Sequence, residues 1–119
     1  MLLEVPSVKW LRSRSAQAPA NLPDTGIILG KNVYRGNEVL IRQGTKDRRL
    51  HTYVIGQTGT GKTTFLKNMV IQDIQSGKGV CFIDPHGDLA SEILDHIPQE
   101  RIKDVVYFNP GDPNYTLSF

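Results

Sequence analysis

Gly56, Gly61, Lys62 and Thr63 occupy the fixed positions of G-x-x-x-x-G-K-[ST] within Val54-Ile55-Gly56-Gln57-Thr58-Gly59-Thr60-Gly61-Lys62-Thr63-Thr64. The chemistry served by that spacing is the holding of phosphate. Glycines allow positive φ and a close approach of the backbone to phosphate oxygens. Successive N–H groups then face one hollow, and the helix that follows adds its unpaired first-turn N–H groups and positive dipole end. Lys62 supplies a mobile charge for β- and γ-phosphates, and the Thr63 hydroxyl is a ligand type that Mg²⁺ accepts. The candidate cradle is therefore Gly56, Gln57, Thr58, Gly59, Thr60, Gly61, Lys62, Thr63 and Thr64, with Lys62 and Thr63 as its chemical residues.

Such a loop needs a strand before it and a helix after it. Thr52-Tyr53-Val54-Ile55 is a β-branched and aromatic run that reads as a buried strand. Phe65, Leu66, Met69, Val70 and Ile74 recur at helical spacing with Lys67, Asn68, Gln72 and Asp73 between them, which predicts a helix over 62–76. Gly77 is its expected stop.

Composition sets the class. The 119 residues suffice for one small domain, with 39% hydrophobic residues and a net charge of +2. The charge is unevenly spread: residues 1–60 hold nine Lys/Arg against four Asp/Glu, residues 61–119 five against eight. A basic leading segment suits a polyanion or an ordinary solvated face. A lone cysteine excludes an internal disulfide framework and a Cys-cluster zinc site; Cys81, in the apolar run Gly79-Val80-Cys81-Phe82-Ile83, is expected in the core. No apolar run reaches the ~18 residues of a membrane span, and Met1-Leu2-Leu3 is followed at once by Glu4 and Pro6, unlike a signal peptide. The expectation is a soluble, cytoplasmic chain.

Residues 1–25 contain Pro6, Pro19 and Pro23 among Ser and Ala and show no periodicity, so they read as a linker or flexible arm. Val8, Trp10 and Leu11, with Lys9, Arg12 and Arg14, suit the end of a helix packing on something upstream. Residues 26–119 read as the N-terminal part of an α/β domain. Within it, Gly26–Gly30 and Glu38–Arg42 flank the turn-forming Asn32–Asn37 and predict a β-hairpin over 26–43. Arg48 and Arg49 lie in a basic loop, Gly44–Arg49, with three open uses: nucleic-acid contact, an intersubunit ion pair or solvation, which is favoured. The segment 51–119 reads as a βαβ arrangement with parallel runs at 52–56, 79–84 and 105–108. Between the last two, Asp88 is the expected cap of a short helix carrying Leu89, Ile93, Leu94 and Ile97 and stopped by Pro98, and Arg101–Asp104 is a polar link. Tyr115–Phe119 is strand-like with no closing turn, so the sheet is expected to be incomplete.

Asp84, at the end of Phe82-Ile83-Asp84, has two open readings. One is a magnesium ligand at a strand's C-terminal end. The other is a cap that shapes Asp84-Pro85-His86-Gly87-Asp88. It lies 22 positions after Lys62, so where another strand is inserted beside the P-loop strand, Asp84 ends a strand farther out in the sheet. His51, His86 and His96 show no spacing that suggests a metal site. Tyr34, Tyr53, Tyr107 and Phe108 could stack on bases, but residues of these types in strands are more often core.

Taken together, the Val54–Thr64 loop, the helix after it and Ile83-Asp84-Pro85-His86-Gly87-Asp88 resemble the FtsK–HerA group of ring ATPases. The likeness is nearest to the DNA-pumping coupling proteins of type IV secretion and conjugation. Gly30–Gly36, Asp47–His51 and Val105–Pro110 are also similar to bacterial members, so the likeness covers about residues 26–119. It implies a RecA-like P-loop NTPase parallel sheet with flanking helices, in a homo-hexameric ring that uses ATP and Mg²⁺ to move DNA. It further implies a membrane or secretion-complex partner, and a place at the inner face of the membrane, through segments outside this chain. In such proteins the Walker B Asp-Glu pair and the arginine finger lie further along than these residues, so the chain alone is expected to hydrolyse no ATP. The competing classes are a small GTPase or small-molecule kinase using Asp84 and Gly87 as a D-x-x-G switch, and a non-hydrolysing nucleotide-binding module. No Asn-Lys-x-Asp guanine-reading motif and no Arg-rich lid supports the first pair.

Overall fold

A two-residue turn organises the first half of the chain. In the computed structural model, which describes residues 15–112, Arg35 and Gly36 have φ of 50° and 83°. Positive φ at both central positions is the turn whose twist matches antiparallel strands. The expected hairpin is present, but with longer strands: β1 (Ile27–Tyr34) pairs antiparallel with β2 (Asn37–Gln43), and Asn32–Tyr34 belong to β1 rather than to the turn. The register runs from Tyr34↔Asn37 to Ile27↔Gln43, with a bulge between Ile28 and Gly30. Near the turn, the Arg35 guanidinium lies 5.3 Å from the centre of the Tyr34 ring, and Lys31 donates across the strands to Glu38 at 2.7 Å. Both groups of that ion pair are exposed, so it contributes under about 1 kcal/mol.

Helix α1 (Lys62–Gln75) follows the glycine loop as the spacing predicts. It ends at Gly77, whose φ of 79° lets Lys78 N–H reach the Asp73 carbonyl (3.0 Å) and Gly77 N–H the Ile74 carbonyl (3.1 Å). This is the paired bonding of a Schellman stop. Arg101, from the 3-10 helix Gln99–Asp104, adds a 2.6 Å bond to the same Ile74 carbonyl, so the expected polar link also caps α1. Helix α2 (Asp88–Leu94) packs on α1, with Lys67 donating to Glu92 at 2.6 Å. The buried apolar side chains are few: Ile27 of β1, Met69 and Ile74 of α1, and Ile93 of α2.

The runs at 52–56, 79–84 and 105–108 depart from expectation. Among the described residues the sheet holds β1 and β2 alone, and these three runs carry no ladder bonds. Tyr53, Ile55, Ile83 and Val106 are at least 80% exposed. Cys81, expected in the core, is exposed too, as are Tyr107 and Phe108. The reason is local supply: a run apolar on both faces is buried only with strands at its edges and helices on both sides, and here one long helix and one short helix lie near. Residues 15–26 form neither helix nor strand, and the Ala16 carbonyl accepts from Asn32 at 3.2 Å. The expected upstream helix end at Val8–Leu11 and the terminal run Tyr115–Phe119 lie outside the described residues. No helix among the described residues is long and apolar enough to cross a membrane.

Among the described residues one polar side chain is buried with the core. Asp73, 7% exposed, accepts both arms of the Arg48 guanidinium and, at 3.2 Å, the Lys78 ammonium. Arg48 therefore pairs within the chain, while Arg49 beside it stays exposed. The Arg48 fork holds the Asp73 carboxyl below the ordinary carboxylate range, with Lys78 adding to it and burial working against it. A carboxylate lowered on folding stabilises fully above its unfolded pKa of about 4 and loses that contribution as pH falls through the folded value. Asp73→Asn should cost about 2 kcal/mol at neutral pH, since removing one partner strands the others in a partly dry site. It should also flatten the fall in stability below about pH 4, as read by urea denaturation across a pH series.

Candidate functional site

The glycine loop turns tightly on one carbonyl. The Gln57 C=O accepts from Thr60 N–H (3.3 Å), Thr60 Oγ1 (2.7 Å) and Lys62 Nζ (2.9 Å). Gly59 and Gly61 take φ of 82° and 87°, which a side chain would strain. Gly56 is required for a different reason: a Cβ there would meet Thr60 Oγ1 at 2.7 Å and the Lys62 stem at 3.3 Å. Since Thr60 Oγ1 is already committed to Gln57, it cannot swing aside without losing that bond.

Helix α1 starts at Lys62 with Gly61 in the cap position and, among the described residues, no side chain bonded to its first-turn N–H groups. Its first internal bond joins Phe65 N–H to the Gly61 carbonyl at 2.9 Å. The N–H groups of Lys62, Thr63 and Thr64 thus precede the helical ladder, at the positive end of a helix of 14 residues. Thr63 and Thr64 are exposed, while Lys62 is half-buried because its stem folds over Gly56. The expected cradle residues, Gly56 to Thr64, are brought together in one short turn and the first helical turn. Backbone donors, a flexible cation and a hydroxyl lie within these nine consecutive residues, group types that suit a phosphate chain with its Mg²⁺.

Asp84 stands apart from that group. Its carboxylate accepts from the N–H groups of His86 (3.1 Å), Leu89 (2.9 Å) and Ala90 (3.2 Å). The His86 bond chiefly, then those from Ala90, Leu89 and Gly87, hold its pKa below the usual carboxylate range. Asp84 caps α2, the second of its two sequence readings. The expected cap, Asp88, is instead the first helical residue, behind Gly87 at φ 83°. No hydrogen bond joins Asp84 to Lys62 or Thr63 among the described residues. His51, His86 and His96 are all exposed, and no cluster of three or more His, Cys, Asp or Glu suited to a metal occurs among the described residues.

A family model described as helicase HerA, central domain, matches residues 29–117. The chain belongs to that family. As a HerA central domain it falls among the FtsK/HerA-type P-loop ATPases, which sets aside the small GTPase and small-molecule kinase classes. No curated protein and no solved structure matches the chain.

Sequence reasoning passed over Gln72, Asp73 and Arg101. Gln72 and Asp73 read only as polar spacers between apolar helix positions. One signal was available for Asp73: an acid in the last turn of a helix opposes the helix dipole and so calls for a cationic partner. Gln72 gave none. Its carboxamide accepts from Ile28 N–H at 2.8 Å and donates to the Ile28 carbonyl at 2.9 Å, pairing with β1 as a neighbouring strand would.

Asp84→Ala should raise the amide exchange rates of Leu89 and Ala90 while leaving those of α1 unchanged, as read by hydrogen-exchange NMR. Unchanged protection at both amides would show that the carboxylate does not cap the helix.

Proposed function

We propose that this HerA-family chain is the ATP-binding part of a ring ATPase that couples hydrolysis to movement of DNA, of the kind that serves conjugation and type IV secretion. The observation that carries the reading is the glycine loop, where Gly59 and Gly61 turn the backbone into an uncapped helix start and Lys62 folds over it. In this reading ATP lies along Gly56–Thr64. The N–H groups of the loop and first helical turn hold its phosphates, Lys62 releases the Gln57 carbonyl to meet the β- and γ-oxygens, and Thr63 holds Mg²⁺. The metal, when bound, neutralises charge that builds between the phosphates. Asp84 serves as the anchor of α2 rather than as a metal ligand, its oxygens being turned to backbone donors.

The runs at 52–56, 79–84 and 105–108 take places in a RecA-like parallel sheet whose remaining strands come from other segments. Support comes from their apolar side chains, which stand exposed without such neighbours. The assembly is a homo-hexamer in the cytoplasm, held at the inner face of the membrane through a secretion-complex partner. Family membership supports the ring assembly; the motif resemblance alone supports the location and the secretion-complex partner.

Lys62→Ala in the intact protein should abolish ATP turnover and weaken ATP binding, because charge-assisted contacts to phosphate are the strong kind. Turnover by the unsubstituted protein should rise on adding DNA and fall steeply with salt, since phosphate contacts release counterions. The 119-residue chain alone should turn over ATP no faster than background. ATPase assays of both proteins, with and without DNA over a salt series, decide. Brisk, DNA-independent turnover by the short chain would replace a motor with a self-contained enzyme.

A further inference from the structure

We propose that Arg48 and Asp73 are positioning residues for nucleotide binding, their ion pair setting the angle between the segment that enters the glycine loop and the helix that leaves it. This rests on the phosphate-binding reading of Gly56–Thr64.

The loop has two limbs, His51–Ile55 on the way in and α1 on the way out. Its own bonds, three on the Gln57 carbonyl and one from Phe65 N–H to the Gly61 carbonyl, fix the turn locally without tying either limb to a distant segment. Among the described residues the incoming limb has no ladder partner, Tyr53 and Ile55 are 87% and 80% exposed, and Thr52 receives a 3.4 Å contact from the Gln43 amide. Three residues before His51, Arg48 is held by its own N–H on the Gly44 carbonyl (3.1 Å) and by the 3-10 turn Asp47–Arg49. From there its guanidinium reaches 25 positions along the chain to Asp73. The ion pair therefore closes a ring that contains the incoming limb, the glycine loop and most of α1.

The form of the contact matters as much as its strength. A planar fork meeting both carboxylate oxygens fixes orientation as well as distance, which a single ammonium cannot do. Asp73 is itself steadied from the other side by Lys78, carried round by the left-handed turn at Gly77. Beside it, Gln72 grips both backbone groups of Ile28 and fastens the same helical turn to β1. Asp73 lies eleven positions after Lys62, about 16 Å along the axis at 1.5 Å per residue. It touches no phosphate and acts through the helix. Small displacements are costly in such sites, where positioning supplies most of the catalysis.

The test compares Arg48→Lys, Arg48→Met, Asp73→Asn and the exchanged pair Arg48→Asp with Asp73→Arg, in the intact protein. ATP KM, kcat and the denaturation midpoint are measured at a temperature where every variant is folded. Lys67→Met, which removes the exposed Lys67–Glu92 pair on the same helix, is the control. Arg48→Lys should raise the KM for ATP by about tenfold or more, the exchanged pair should recover part of that loss, and Lys67→Met should leave KM unchanged. A lowered midpoint with KM unchanged in Arg48→Lys would reduce the pair to a purely structural role and overturn the proposal. If Arg48→Met does not fold, Arg48→Lys, which keeps charge and stem, answers the same question. Lys62→Ala distinguishes the two failures: were its turnover normal, the phosphate reading and this inference would fall together, whereas loss of turnover there with normal KM in Arg48→Lys removes this inference alone.

Discussion

A carboxylate buried near the C-terminal end of α1 needs positive charge from elsewhere, and the protein supplies it from both directions along the chain. Arg48 arrives from before the glycine loop, Lys78 from after the helix stop. Left alone, the acid would meet the negative end of the helix dipole and a partly dry surrounding. Bound on both sides, it becomes the point where three separate segments must agree on their spacing. Gln72, one residue earlier, brings in β1 as a fourth. With so few buried apolar side chains, polar contacts of this kind carry more of the arrangement than they would in a domain with a large core.

The two ends of α1 are built on opposite principles. At the start no side chain among the described residues caps the helix; at the end Gly77, Arg101 and the Lys78 backbone all donate to its last carbonyls. A helix meant only as scaffold has no need of such asymmetry. The open end is where the glycines lie, and the closed end is where the anchoring charges lie, so rigidity is supplied at the end of the helix away from the glycine loop.

What could be read in the sequence divides along the range of the interaction. The glycine loop, the start and stop of α1 and the hairpin are written in local residue types, since positive φ and helical spacing need no distant partner. The hairpin strands extended further than expected because Asn32 and Tyr34, turn-like or ambiguous by type, are drawn into the ladder by Val39 and Asn37 opposite. Apolar runs such as Gly79–Ile83 announce a tendency to pair but not the partner, and here Val80, Cys81 and Ile83 stay exposed. Gln72 was invisible and Asp73 only hinted at for a related reason: neither shows its partner until Arg48 and Ile28, 25 and 44 positions away, arrive beside them. Asp84 showed the converse, a motif position that looked chemical and is occupied with backbone donors within six residues of itself.

The bare runs around Ile55, Ile83 and Val106 bear on how this polypeptide is made as well as on how it works. The hairpin closes within 17 residues, so it can form quickly from local contacts, whereas α1 meets β1 only across some 44 positions. The unladdered runs are then left as β-prone, apolar stretches with idle backbone groups, a template for pairing with any similar chain. During synthesis they are a hazard in proportion to the time they wait. A folding helper that shields short apolar strands would therefore raise yield without altering the native state.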